Sequence, residues 1–156
     1  MSSKVADTPG VVAPPPLVYL GAIVVGAVLE RVWRWRIPTG RVGMVVGISF
    51  LVAAAVLVAS ALREFNRAET SPKPHKPTTA IITSGPFRFT RNPIYVSFTL
   101  VQLGIALLTQ SGWILVLVVP VLVLVRVGVI AREERYLERK FGEPYVTYKR
   151  RVRRWV

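Results

Sequence analysis

The chain of 156 residues contains no cysteine, which excludes disulfides, thiolate metal sites and a cysteine nucleophile. It has one histidine, His75, and a metal site needs three or four convergent ligands, so His75 reads as a loop or headgroup-facing residue and no metal is expected. Acidic residues are scarce: 8 Asp and Glu stand against 21 Lys and Arg, a formal charge of +13. Such an excess suits nucleic acid only where the cations form a stripe on a soluble fold with exposed aromatics. Here they lie between and after apolar runs, the pattern that orients a membrane protein, and no nucleic-acid partner is expected. Residues 1–10 lack a basic stretch followed at once by an apolar core, so the first apolar segment is expected to remain in the mature protein.

What is present is apolar: 52% of the residues are hydrophobic, more than soluble domains usually carry. Residues 1–16 end in Pro14, Pro15 and Pro16 and read as a mobile or surface-lying tail. Residues 17–62 hold two membrane segments. The first runs from Leu17 to Leu29 with an amphipathic continuation through Trp33, Trp35 and Ile37, interleaved with Arg31, Arg34 and Arg36 as an interfacial anchor. The second, from Val42 to Leu62, has no charge at all. Gly43 and Gly47 form a Gly-x-x-x-Gly arrangement in it that would support close helix contact or a homodimer. Residues 63–93 are a polar, proline-bearing loop. Residues 94–156, with 78–93, form the C-terminal module. In it, apolar stretches at 94–109 and 113–131 are separated only by Gln110, Ser111 and Gly112, which makes a helical hairpin with Pro120 as a kink in its second arm.

The expected fold class is therefore all-α and polytopic, with about four transmembrane helices, a C-terminal hairpin and a cytoplasmic C-terminal segment. Six Lys or Arg fall in loop 63–93 and nine after Ala131, against four in the first connection and none in the second. That bias puts both termini and the long loop in the cytoplasm. The expected location is the plasma membrane of a prokaryote. If the last helix runs from Gly112 to Phe141 it is about 45 Å long, against a hydrocarbon thickness of about 30 Å, and Glu133 falls near the cytoplasmic boundary.

Two polar segments stand out at the cytoplasmic ends of the hairpin. One holds Ser84, Gly85, Pro86 and Phe87 (SGPF) and then Arg91, Asn92, Pro93, Ile94 and Tyr95 (RNPIY). The other spans residues 133–155 (EERYLERKFGEPYVTYKRRVRRW). A short hairpin brings them together, and two carboxylates, a guanidinium, an amide and phenols beside a water-poor region suit a ligand bearing both signs of charge. Arg126 lies inside the last apolar run, and a charge at membrane depth is read as functional, here as lining for the polar head of an acceptor. Tyr145, Tyr148 and the cations from Lys149 to Arg154 read as headgroup contacts with membrane lipids. No glycine-rich loop after a strand exists to cradle a nucleotide.

This joint pattern resembles the isoprenylcysteine carboxyl methyltransferase family and its relatives, the phospholipid N-methyltransferases, over about residues 78–155. The family's Arg-His-Pro-x-Tyr matches Arg91, Asn92, Pro93, Ile94 and Tyr95, with asparagine in place of histidine. The resemblance implies a membrane methyltransferase that uses S-adenosylmethionine on a lipophilic small molecule, a lipid or an isoprenylated acceptor drawn from the bilayer. It implies that Thr79, Ala80, Ile81, Ile82 and Phe87 face the nucleoside, and that Asn92, Pro93, Ile94 and Tyr95 contact the cofactor. Glu133 would bind the ammonium of the methionyl part, with Arg91 and Glu134 beside it; Arg91, Tyr95, Glu133 and Arg126 make up the catalytic set. Asparagine cannot shuttle protons as histidine does, so a mechanism with general-base catalysis at that position is not expected to survive the change. Two other readings compete: a sterol-type reductase module binding NADPH, which shares a similar hairpin and terminal pattern, and a non-catalytic membrane adaptor in which Glu133 and Arg91 merely pair.

Overall fold

A computed structural model describes residues 14–71 and 78–155. Most of the expected N-terminal tail, residues 1–13, and His75 lie outside the described residues. Every regular element described is helical: α1 (Pro15–Val32), α2 (Gly40–Arg67), a 3-10 turn (Gly85–Arg88), α3 (Pro93–Thr109), α4 (Gly112–Val116), α5 (Val118–Val125), a π turn (Arg126–Ile130), α6 (Ala131–Phe141) and α7 (Glu143–Arg151). The elements from α4 to α6 continue one another as a 30-residue rod, Gly112–Phe141. This rod, α1 and α2 are long and apolar enough to cross a membrane; α3 is apolar too but shorter, at 17 residues.

Local chemistry explains the boundaries. Helix α1 starts two residues before the expected Leu17, because Pro15 and Pro16 occupy first-turn positions whose N–H groups have no helical acceptor in any case. It stops at Val32, so the expected continuation through Ile37 is not helical. Trp33 leaves helical geometry at φ −136°, and the next residues pair with the hairpin turn instead. Ile37 N donates to Gln110 O at 2.9 Å, and Gly112 N donates to Trp35 O at 2.8 Å. Glu30 locks this far end: its carboxylate accepts from Trp35 N at 3.0 Å and from Ser111 Oγ at 2.9 Å. Trp113 Nε1 donates to Trp33 O at 2.6 Å, and its ring meets Trp35 edge-on. The aromatic anchor expected from Trp33 and Trp35 is thus a three-tryptophan cluster.

Gln110 ends α3 in left-handed geometry (φ 54°), and Ser111 N reaches back to Ala106 O at 3.0 Å, which turns the chain within two residues. The rod breaks regular helix at Leu117, three residues ahead of Pro120, whose ring cannot follow the carbonyl of Val116.

Helix α3 is the spine, with α1 on one flank and α2 along the other. Backbones of α2 and α3 approach where Gly47 faces Gly104: a Cβ on Gly104 would sit 2.9 Å from Gly47 O. The close contact expected of Gly47 is therefore made inside the chain. Tyr19, Tyr95, Val121, Val125, Val129 and Ile130 form the core, with Phe98 and Trp155 packed on it.

Candidate functional site

At the end opposite the tryptophan cluster, α2, α3, α6, α7 and the segments between them surround a cavity of about 430 Å³. The motif residues reach it by turn chemistry. Gly85 takes φ +57° to open the 3-10 turn, which lays Phe87 into the interior against Phe65. Pro93 then starts α3, and Tyr95 follows one turn inside.

Tyr95 Oη donates to Glu133 Oε1 at 2.8 Å, joining α3 to α6 across the cavity wall. Its neighbour Glu134 is buried and holds three cations: Arg91 Nη1 at 3.2 Å, Arg154 Nη2 at 2.6 Å and Lys149 Nζ at 3.9 Å. Arg154 is bidentate, its Nε donating to the other carboxylate oxygen at 3.0 Å. The Arg91 side chain is 8% exposed and, though ion-paired, leaves Nε and Nη1 buried without a hydrogen-bond partner among the described residues. Unbonded guanidinium donors in a cavity wall are a cost unless a ligand's acceptor meets them.

The C-terminal segment folds back over the motif. Arg91 N donates to Arg153 O at 3.0 Å, and Arg154 O accepts from Asn92 Nδ2 at 2.8 Å and Thr90 Oγ1 at 3.2 Å. Tyr148 Oη donates to Phe87 O at 2.8 Å. Burial pushes the Tyr148 phenol up to about 12, opposed in part by the Arg91 charge, and burial with Glu134 nearby raises Tyr145 further. Both tyrosines, expected at headgroups, are instead buried in the cavity wall.

Of the residues singled out in the sequence, Ala80, Ile81, Ile82, Phe87, Arg91, Asn92, Pro93, Ile94, Tyr95, Glu133 and Glu134 all line this cavity. Thr79 does not; its N–H and hydroxyl bond to Thr70 Oγ1 and Glu69 O at the end of α2. Arg126 opens onto a separate hollow on another side of α3. Sequence reasoning did not find the apolar wall from the N-terminal half: Pro15, Pro16, Val58, Leu62 and Phe65. Arg154 and Lys149, expected at headgroups, instead pair with Glu134; two adjacent carboxylates at the membrane edge need counter-charge, and that was the signal in the sequence.

Fold and site together define a small helical membrane protein whose cavity offers both signs of charge on one side and an apolar wall on the other. The chain belongs to the phospholipid methyltransferase family, whose model matches residues 42–144 and so spans both halves of the site. It is thus an integral membrane protein of a methyltransferase family, as the resemblance implied. An "Uncharacterized protein" of Haemophilus influenzae is 38% identical over 63 residues, which is 40% of this chain and the whole of that protein. No solved structure matches the chain.

Proposed function

We propose that the protein transfers the methyl group of S-adenosylmethionine to a lipophilic acceptor that enters from the bilayer. The observation that carries this is Arg91, which shares a cavity wall with the Glu133 carboxylate and whose buried Nε has neither a hydrogen bond nor an ion pair among the described residues, while Nη1 is paired with Glu134. A zwitterionic amino-acid end fits that pair, its carboxylate on Arg91 and its ammonium on Glu133. The nucleoside would lie against Ala80, Ile81 and Ile82 and the Phe87 ring, and the cavity volume of about 430 Å³ lies within the range of small-molecule and cofactor sites.

When bound, the cofactor supplies a methyl already activated on a sulfonium, so the chain's work is positioning and exclusion of water. Tyr95 fixes the Glu133 carboxylate. Glu134 fixes Arg91 and, through Arg154, draws the C-terminal segment over the site. Val58, Leu62 and Phe98 form an apolar wall against which an acceptor aligns. Asn92 does not titrate, and its amide donates to Arg154 O, so a proton released by an acceptor does not pass to it.

The basic residues of 63–93 and of the tail support a cytoplasmic position for this end, where S-adenosylmethionine is made; with α3 counted as a fourth crossing, both termini would lie on that side. A prokaryotic plasma membrane is the proposed setting. The test is incubation of the protein in lipid with labelled S-adenosylmethionine and a panel of aminophospholipid, isoprenoid, quinone-like and thiol acceptors. Label in one lipid fraction, lost in Glu133→Gln, is expected; absence of cofactor binding by the wild-type protein would overturn the proposal.

A further inference from the structure

Arg126 is the one cation inside the apolar stretch of the Gly112–Phe141 rod, and it does not face the cavity described above. It lies in a second hollow of about 390 Å³ between α3 and α5, lined by Val96, Thr99, Leu122, Val123 and Trp155. The flanking Val123 and Val127 are 58% and 64% exposed, so this face of the rod meets lipid. Neither the Arg126 guanidinium nor the Trp155 indole N–H has a hydrogen-bond or ion-pair partner among the described residues.

The depth of Arg126 follows from the far-end tryptophans. Trp33, Trp35 and Trp113 cluster as an interfacial belt does. Thirteen residues beyond Trp113, at about 1.5 Å each, Arg126 sits about 20 Å into a hydrocarbon layer of about 30 Å. That is within snorkelling range of the boundary at the site end. Trp155, packed on the core from the C-terminal segment, lines the same hollow. An uncompensated guanidinium in lipid is costly, and the partner it meets there is an anionic headgroup.

We propose that the Arg126 and Trp155 hollow is a binding site for one anionic phospholipid, with the phosphate on the Arg126 guanidinium and the indole N–H, and the acyl chains along Val96, Leu122 and Val123. The site is separate from the methyl-transfer cavity, and it does not depend on the activity proposed for that cavity.

The test is native mass spectrometry of the full chain released from nanodiscs of phosphatidylglycerol or of phosphatidylcholine. One retained phosphatidylglycerol per chain is expected, with little phosphatidylcholine. Arg126→Gln is expected to weaken that retention by about tenfold, the scale of one lost charge-assisted contact. Trp155→Phe keeps an aromatic ring in the lining, removes the donor and is expected to weaken retention by less. Arg150→Ala with Arg151→Ala, on the exposed face of α7, controls for the basic tail and is expected to leave the retained lipid in place. Gel filtration of each variant separates lipid loss from misfolding. Equal retention of both lipids by the wild type, or undiminished phosphatidylglycerol on a folded Arg126→Gln protein, would overturn the proposal.

Discussion

The Tyr95 hydroxyl and the Glu133 carboxylate, 38 residues apart in sequence, meet at 2.8 Å and join the two arms of the hairpin at the mouth of the cavity. The same tyrosine is held from behind by α1, where Tyr19 Oη bonds to Tyr95 O at 3.3 Å and to Thr99 Oγ1 at 2.9 Å. Tyr95 therefore links the first helix, through its backbone carbonyl, to the carboxylate proposed for the ligand's ammonium, through its hydroxyl.

Tyr95→Phe keeps the ring and removes the donor to Glu133. Hydrogen bonds to charged groups contribute about 1.5–3 kcal/mol, so S-adenosylmethionine affinity is expected to fall by about 10- to 100-fold. Calorimetric titration of the protein in detergent reads this directly; unchanged affinity would remove Glu133 from the ligand.

Glu134→Ala leaves Arg91 buried with its charge uncompensated. Breaking a buried ion pair from one side costs about 3–5 kcal/mol, and a large fall in thermal midpoint is expected. The Glu134→Ala, Arg91→Met double variant is expected to recover much of that loss while failing to bind cofactor. A double variant no more stable than Glu134→Ala would show that the pairing is not the source.

Gly85→Ala meets two obstacles at once. Its φ is +57°, and a Cβ there would lie 2.8 Å from Cγ of the buried Glu64, whose carboxylate is bonded by Ser84 Oγ. A loss of about 1 kcal/mol or more is expected, concentrated in the motif turn. Amide exchange of residues 84–91 should quicken more than that of α3; equal protection would count against the steric conflict.

The Tyr148 phenol ionises near 12 in the folded chain and near 10 in the unfolded one, because burial disfavours the anion. A raised value means that its stabilisation is complete below pH 10 and is lost as pH climbs through 12. Thermal midpoints measured from pH 9 to 12 should decline, and less steeply in Tyr148→Phe. Identical slopes would place the phenol in water.

The apolar runs announced the helices because lipid leaves the chain few alternatives. Val42 to Leu62 sits inside α2, and the polar ends that extend it to Gly40–Arg67 carry no periodic signal of their own. The break after Val32 was illegible, since it depends on Trp35 and Ile37 meeting Gln110 and Gly112, 75 or so residues away. The charged side of the cavity wall was legible from the motifs and the resemblance they carry; the apolar side, drawn from α1 and α2, was not, because nothing in those runs marks which face turns inward. Arg126 was not, and the reason is helical phase. It lies seven residues before Glu133, about two regular turns, which on an unbroken helix would share one face. The π turn at Arg126–Ile130 takes more residues per turn, so it rotates the two apart.

The far-end backbone pairing of Trp35 with Gly112 and of Ile37 with Gln110 fastens both connections into one rigid clasp. At the opposite end the spacing of the same helices is set by side chains instead, Tyr19 against Tyr95 and Tyr95 against Glu133, so the cavity keeps its width only while those polar contacts hold.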